Sequence, residues 1–337
     1  MRTPRVTVLL PVHNGAHHLR EAVDSILAQT LGDFELLIVD DASEDDSVAV
    51  VESIPDPRIR LIRSERRIRL AGALNLGLRE AAGELVARMD ADDVSLPERL
   101  RKQAAYMEAH TDLGVCGTWV RAFGKDAGKI ERYSVGSRRV GAQALFNTPF
   151  AHPTVMFRRD SFLDHRLTYD VSYYPTEDFD LWERALRCFA GDNLPLVLLE
   201  YRVHERSLTG SEWSEMDRQA SRVCARRLAD LGFEANDEET RFHRLVATAA
   251  VKSSRHEILR AEQWLRSILR ANDARAVYDR DALSDIVAEL WLRICMQATG
   301  LGWKRVRAYA SSALSGSRRA TGTLLCAFSA LKASIGG

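Results

Sequence analysis

From Val6 to Met89 the chain repeats one alternation: a strand-length apolar run rich in β-branched residues, then a longer stretch with apolar residues at helical spacing. Val6 to Val12 reads as a strand, Leu19 to Gln29 as a helix with Leu19, Ala22, Val23, Ile26 and Leu27 on one face, and Phe34 to Val39 as the next strand. Ser47 to Ile54, Arg58 to Ile62, Leu70 to Ala82 and Leu85 to Met89 continue as helix, strand, helix, strand. Strands that are apolar at almost every position have no face to show to water. The rhythm therefore predicts an α/β chain with a parallel sheet covered by helices on both faces. Ligands of such sheets sit beyond the carboxyl ends of the strands, so polar residues at those ends become the candidates for function.

Beyond the helix Leu96 to His110 the pattern loosens. Val115 to Phe123, Thr154 to Phe157 and Leu194 to Val203 read as strands, and Asp178 to Phe189 as a helix with Leu181, Trp182, Ala185 and Phe189 facing inward. After Trp213 the strand signal ends, and Asp217 to Leu231, Glu239 to Val251, Ala261 to Leu269 and Asp285 to Cys295 are helical in period. Two parts are expected, residues 1–210 and a helical region 211–337. The 47 basic and 47 acidic side chains cancel and 46% of residues are hydrophobic, which excludes disordered and collagen-like classes. Five scattered cysteines without a CxxC pair suggest neither a disulfide framework nor a zinc site. The start Met1-Arg-Thr-Pro lacks a signal-peptide core and no apolar run reaches the ~20 residues of a membrane span, so cytoplasmic residence is expected.

The strongest local signal is Leu85-Val-Ala-Arg-Met-Asp-Ala-Asp-Asp, a core-type strand that delivers Asp90, Asp92 and Asp93 at its carboxyl end. Three neighbouring acids repel one another unless a cation offsets them. A hard divalent ion, Mg²⁺ or Mn²⁺, takes such oxygen ligands together with a substrate phosphate. The bland alternative is a polar turn whose acids cap the helix after Pro97. A calcium loop starting at Asp90 would need Gly at Ser95 and Glu at Arg101, and has neither. An aspartyl-phosphate phosphotransferase using Asp90 has compatible spacing, but its strand normally comes first in the domain, not fourth.

Asp40-Asp41 ends the second strand, at the rim where the first ends in Pro11-Val-His-Asn-Gly. Carboxylates there can accept hydrogen bonds from a pyrimidine ring N–H or a ribose hydroxyl; the plain alternative is helix capping by Asp41 or Ser43 ahead of Ser47. No GxGxxG follows the first strand and no GxxxxGK[ST] is present, so dinucleotide and P-loop readings are poor. Thr176-Glu-Asp-Phe-Asp-Leu-Trp forms a third acidic site, with Thr176 as a cap and Glu177, Asp178 and Asp180 in a helical first turn favoured by the dipole. A carboxylate fixed at a helix start is also a good general base for an acceptor hydroxyl.

These segments, with Ser25-Ile-Leu-Ala-Gln-Thr, Leu96-Pro-Glu-Arg-Leu, His152-Pro-Thr-Val-Met-Phe-Arg and Tyr201-Arg-Val-His-Glu-Arg-Ser, resemble the family-two glycosyltransferases over roughly residues 5 to 210. The resemblance implies a GT-A-type, Rossmann-like, mostly parallel sheet and an inverting, metal-dependent transfer of sugar from a nucleotide diphosphate sugar. By this likeness Pro11, Val12, His13, Asn14, Asp40 and Asp41 bind the nucleotide, and Asp90, Ala91 and Asp92 engage metal and diphosphate. Asp178 would be the base, and His204 would approach the metal or diphosphate. Two departures stand out: His13 replaces a common Tyr, and Arg67-Ile-Arg69 replaces the usual Asn-x-Gly, so that Arg66, Arg67 or Arg69 would pair with diphosphate. The likeness implies a UDP-, dTDP- or GDP-sugar donor, and a glycan or lipid-linked acceptor used in cell-surface polysaccharide or glycolipid biosynthesis. A fold kept only for carbohydrate binding is the non-catalytic alternative.

From Trp291 to Gly337 there is no acid, while Arg293, Lys304, Arg305, Arg307, Arg318, Arg319 and Lys332 are basic. The mixed apolar and basic segments Val306 to Leu314 and Leu324 to Leu331 suit peripheral contact with the cytoplasmic face of a membrane, or a basic helix packed on the protein. Nucleic acid binding has no accompanying motif.

Overall fold

The computed structural model describes residues 3–125, 127–203 and 213–335. The chain divides into two compact units, 1–140 with 148–219, and 141–147 with 220–337. The second therefore takes in a seven-residue segment from mid-chain, where the sequence reading draws one boundary at 210.

The first unit begins with β1 (Val6–Val12), α1 (Ala16–Leu27), β2 (Phe34–Asp40), α2 (Ser47–Glu52), β3 (Ile59–Arg63), α3 (Arg69–Glu80) and β4 (Leu85–Arg88). β1 pairs in parallel with both β2 and β4, and β2 with β3, as the alternation predicts. After β5 (Val94–Ser95) and α4 (Arg99–Ala109) come β6 (Leu113–Gly124), β7 (Ile130–Glu131), α5 (Ser137–Gln143), β8 (Met156–Arg158), α6 (Arg159–Asp164), α7 (Glu177–Ala185) and β9 (Ala190–Val203). Among the described residues the sheet has nine strands and is mixed: β8 lies antiparallel between β4 and β6, β9 runs parallel to β6, and β5 and β7 pair antiparallel at the margins.

Alternate residues of each central strand serve opposite faces. Val8, Leu10, Leu36 and Ile38 pack with Leu19, Val23 and Ile26 of α1, while Leu9, Leu37 and Val39 pack with Ala73, Leu74 and Leu78 of α3. α3 lies so close that a Cβ at Gly77 would meet Leu9 Cδ1 at 2.1 Å. A side chain there forces repacking, at about 1–3 kcal/mol.

The helix-capping alternatives do not hold. α2 starts after Asp46, α4 after Glu98 and α7 after Thr176, each without a side-chain cap. Ser43 Oγ instead accepts the Asn14 N–H, and the Thr176 hydroxyl donates to the Tyr173 carbonyl. Asp41, Ser43 and Thr176 are thus not spent as helix caps, whereas Asp178 meets the Phe179 N–H in the first turn of α7 and Asp45 accepts the Ala16 N–H at the start of α1.

The second unit contains the end of α8 (Trp213–Asp230), α9 (Asp237–Ala247), α10 (Arg255–Arg275), α11 (Arg280–Gln297), α12 (Trp303–Ser311) and α13 (Arg319–Ile335). Its core gathers Leu283, Ile286, Val287 and Trp291 of α11 with Leu265 and Ile268 of α10 and Leu145 and Phe146 of the mid-chain segment. Buried His243 is satisfied at both ring nitrogens, by the Leu145 carbonyl and by Trp264 Nε1–H, and burial pushes its pKa down to about 4. It is a neutral core residue. No helix among the described residues is long and apolar enough to cross a membrane.

Candidate active site

The carboxyl ends of β1, β2 and β4 border an open cleft of about 1080 Å³, lined by Pro11 to Gly15, Asp41, Arg67, Arg69, Asp90 to Asp92 and Tyr174, with His17 and His18 from the first turn of α1. The loops after β1 and β2 are laced together. Asp41 N–H donates to the Val12 carbonyl (2.8 Å) and His13 Nδ1 meets the Asp41 carbonyl (2.8 Å). Asn14 Oδ1 accepts the Glu44 N–H (2.8 Å), and Gly15 N–H donates to Ser47 Oγ (2.9 Å). Asp41 Oδ1 accepts the Ile68 N–H (2.5 Å), which ties the approach to α3 to the same rim. Three non-glycine residues here hold left-handed backbone, Asn14 (φ 51°), Ala42 (φ 54°) and Arg69 (φ 60°). Such strain persists only where surrounding contacts over-determine it, and it clusters at ligand sites.

The acids after β4 sit on a built foundation. Carboxylate oxygens of Asp90, Asp92 and Asp93 lie within 4.8 Å of one another. Arg88, 3% exposed, forms an ion pair with Asp90. Burial works against the Arg88 charge, but Asp90, with Tyr169 and Asp93, holds its pKa above the usual arginine value. Arg99 donates to the Arg88 carbonyl (2.6 Å), to Gln103 Oε1 (3.0 Å) and to Met89 Sδ (3.3 Å); burial and the neighbouring Arg88 push it down to about 10, so it stays charged at neutral pH. Burial, opposed by Arg88 and reinforced by Asp92, raises the Asp90 carboxyl. Burial and its two acidic neighbours raise Asp93 well above the usual range.

Arg202, at the end of β9, straps this loop. Its backbone N–H donates to Asp93 Oδ1 (2.8 Å) and its Nε to the Asp92 carbonyl (2.7 Å). The guanidinium lies 4.3 Å from the Phe123 ring centroid and pairs with Glu21 of α1. On the other side Gln29 donates to the Leu96 carbonyl (2.8 Å) and accepts the Leu100 N–H (3.0 Å), while Ser25 Oγ accepts the Ser95 N–H (3.0 Å). The end of α1 thereby fixes the exit from the acidic turn.

The donor set is all carboxylate oxygen, which suits a hard divalent ion. Asp93 Oδ2 is buried with no hydrogen-bond partner among the described residues, an orphan that a cation or a proton would satisfy. The residues thus fit such an ion.

Asp178, in the first turn of α7, is half-buried; burial raises its carboxyl to about 6 against the Phe179 N–H and Arg88, with Asp90 adding to the rise. It does not itself line the cleft, but Tyr174, four residues earlier, does. His152 Nε2 lies 3.0 Å from Tyr169 Oη, and burial, aided by the Arg88 cation, pushes this histidine well below its ordinary pKa.

Of the residues singled out in the sequence, Pro11, Val12, His13, Asn14, Asp41, Arg69, Asp90, Ala91 and Asp92 share the cleft, joined by Arg67. Arg69 lies 5.6 Å from the Tyr174 ring centroid. Asp40 is 2% exposed and lies beneath the rim, one oxygen accepting the Ser43 N–H (3.3 Å) and the other without a partner among the described residues. His204 lies outside the described residues. Sequence reasoning missed Arg88, Arg99, Tyr169, Tyr174 and Arg202. Arg88, Arg99 and Arg202 stood within segments that carry the family likeness, and Arg88 also as a charge inside a core strand, but none was given a role.

Comparison with known proteins agrees with this geometry. The family model described as Glycosyl transferase family 2 matches residues 7–167. The "Putative glycosyltransferase EpsE" of Bacillus subtilis (strain 168) is 35% identical over 209 residues, 60% of this chain and 74% of that protein. The "O-antigen biosynthesis glycosyltransferase WbnJ" of Escherichia coli is 35% identical over 211 residues, 60% of this chain and 81% of that protein. Among solved structures, the mannosyltransferase PcManGT from Pyrobaculum calidifontis, in complex with GDP-Man and Mn²⁺, aligns with a TM-score of 0.54 at 21% identity, over 99% of this chain and 87% of that one; at this identity the likeness speaks for the GT-A fold alone. The chain belongs to glycosyltransferase family 2.

Proposed function

We propose that the chain is an inverting transferase that moves a sugar from a nucleotide diphosphate sugar to a hydroxyl of a glycan or lipid-linked acceptor, in the assembly of a cell-surface polysaccharide or glycolipid. The observation that carries this reading is the convergence of Asp41 with Asp90 and Asp92 on one cleft at the strand ends. Residues 1–210 act as the catalytic domain and 211–337 as an acceptor- or membrane-associated region. The polysaccharide setting is supported by the name of the E. coli relative, and a nucleotide sugar with Mn²⁺ by the partners of the archaeal mannosyltransferase.

In this reading Asp41 accepts hydrogen bonds from the nucleoside, with Asp40 bracing the turn behind it. Asp90 and Asp92 would hold the divalent ion, and His204 is a further candidate ligand by the family likeness. The ion, when bound, offsets the charge that develops on the departing diphosphate. Arg67 and Arg69 offer guanidinium groups to the phosphates, and the first turn of α1 presents its N-terminal dipole to the same anion. Asp178 takes the proton from the acceptor hydroxyl as that oxygen attacks the anomeric carbon from the face opposite the diphosphate. A carboxyl lifted to about 6 is mostly ionised at neutral pH yet more basic than an ordinary aspartate, the compromise a general base needs.

The aspartyl-phosphate alternative fares worse, because the Arg88 ion pair engages one oxygen of Asp90 and β4 is the fourth strand, not the first. The test is turnover of UDP-, dTDP- and GDP-sugars with Mn²⁺, with the product's anomeric configuration read by NMR. Inversion is expected, with a loss of about 10²–10⁴-fold on Asp178→Asn. Unchanged turnover in Asp178→Asn, or retention of configuration, contradicts the reading.

A further inference from the structure

We propose that the outward face of α12 and α13 docks on an anionic lipid bilayer surface. The two helices run antiparallel: Arg305 of α12 donates to Ser329 Oγ of α13 (3.2 Å), and a Cβ at Gly322 would meet Tyr309 Oη at 2.2 Å. Their inward faces bury Val306, Tyr309, Cys326 and Ala330 in the helical core. Outward, α13 leaves Leu324 (64% exposed), Leu325 (47%) and Phe328 (68%), and α12 starts with Trp303 (53%). Leu324, Leu325 and Phe328 fall at i, i+1 and i+4, so they form one stripe and not scattered exceptions.

Charge identifies what covers this stripe. No acid occurs from Trp291 to Gly337. Arg305 is held by the Met296 carbonyl and Arg318 by Glu289, but Lys304 and Arg307 are exposed on the outward side of α12, one turn apart and beside Trp303. An apolar stripe with an aromatic and lysine or arginine at its edge, and no acid, matches the boundary between anionic headgroups and acyl chains. A second copy of the chain meeting this face symmetrically would set Lys304 and Arg307 against their own kind, which repels. With no described helix suited to crossing a membrane, the hairpin lies on the surface and does not span it. This docking depends on neither the donor nor the acceptor of the proposed reaction.

The test is cosedimentation of the full chain with vesicles of phosphatidylcholine alone or with about a third phosphatidylglycerol. Wild type is expected to bind the anionic vesicles and to release as salt rises. Leu324→Ser/Phe328→Ser should weaken binding about tenfold by removing inserted apolar surface. Lys304→Ser/Arg307→Ser, which alters no buried residue, should weaken it about tenfold through lost attraction. Absence of binding by wild type, or undiminished binding by both double variants, overturns the proposal. A salt-insensitive dimer, broken by the serine substitutions and indifferent to vesicles, also overturns it and gives the face to a second copy.

Discussion

Asp178 has opposite consequences for turnover and for stability. Its folded pKa of about 6 lies above the ordinary aspartate value of about 4, so between these values the folded chain holds a proton that the unfolded chain has released. Stability from this group therefore rises as pH falls through about 6, and the penalty is complete at neutral pH. Asp178→Asn removes that penalty while deleting the base. The substitution is predicted to stabilise the fold at pH 7.5 by up to about 1 kcal/mol, because the carboxyl is only half-buried, and so to raise the melting temperature, although it disables transfer; scanning calorimetry beside an assay checks both. In wild type, kcat/KM should fall as pH drops below about 6. The acids of the site were legible in the sequence because three of them follow a core strand and two more end another. Arg88 and Arg99 were not, since an arginine is read by default as solvated, and only the closed structure reveals that both are buried beneath the acids.

Among the elements, β9 bears on the site through one residue. The Arg202 side chain holds the Asp92 carbonyl and rests on Phe123 of β6, and its backbone N–H holds the Asp93 carboxylate, so it fixes the backbone of the acidic turn. Removing a partner behind a metal ligand typically costs 10–100-fold in metal affinity. Arg202→Met, which keeps a long apolar stem over Phe123, is predicted to weaken Mn²⁺ binding at least about tenfold in a calorimetric titration; unchanged affinity would show that the strap is dispensable. No sequence pattern links positions 92 and 202, which is why the strap was invisible. β1 and β2 were legible because nearly all of their seven positions are core, and β3 and β4 because they alternate with periodic helices. β8 was legible as a strand from Thr154 to Phe157, but its direction was not, and β5, with two residues, is too short for any period to register, so the antiparallel part of the sheet emerged only from pairing.

At the scale of the molecule, the sequence foretold an α/β part followed by a helical region, but not that residues 141–147 pack in the helical unit. That segment supplies Leu145 and Phe146 to a core made otherwise of helices a hundred residues later, a long-range contact with no local signature. The proposed function rests on a division of labour in which Asp92 would hold the ion and diphosphate and Asp178 would act only on the acceptor's proton. Isothermal titration of UDP and GDP in the presence of Mn²⁺ measures this directly. Asp92→Asn should lose the Mn²⁺-dependent binding that wild type shows, whereas Asp178→Asn should bind as wild type does. Equal Mn²⁺-dependent binding by wild type and Asp92→Asn would contradict the account.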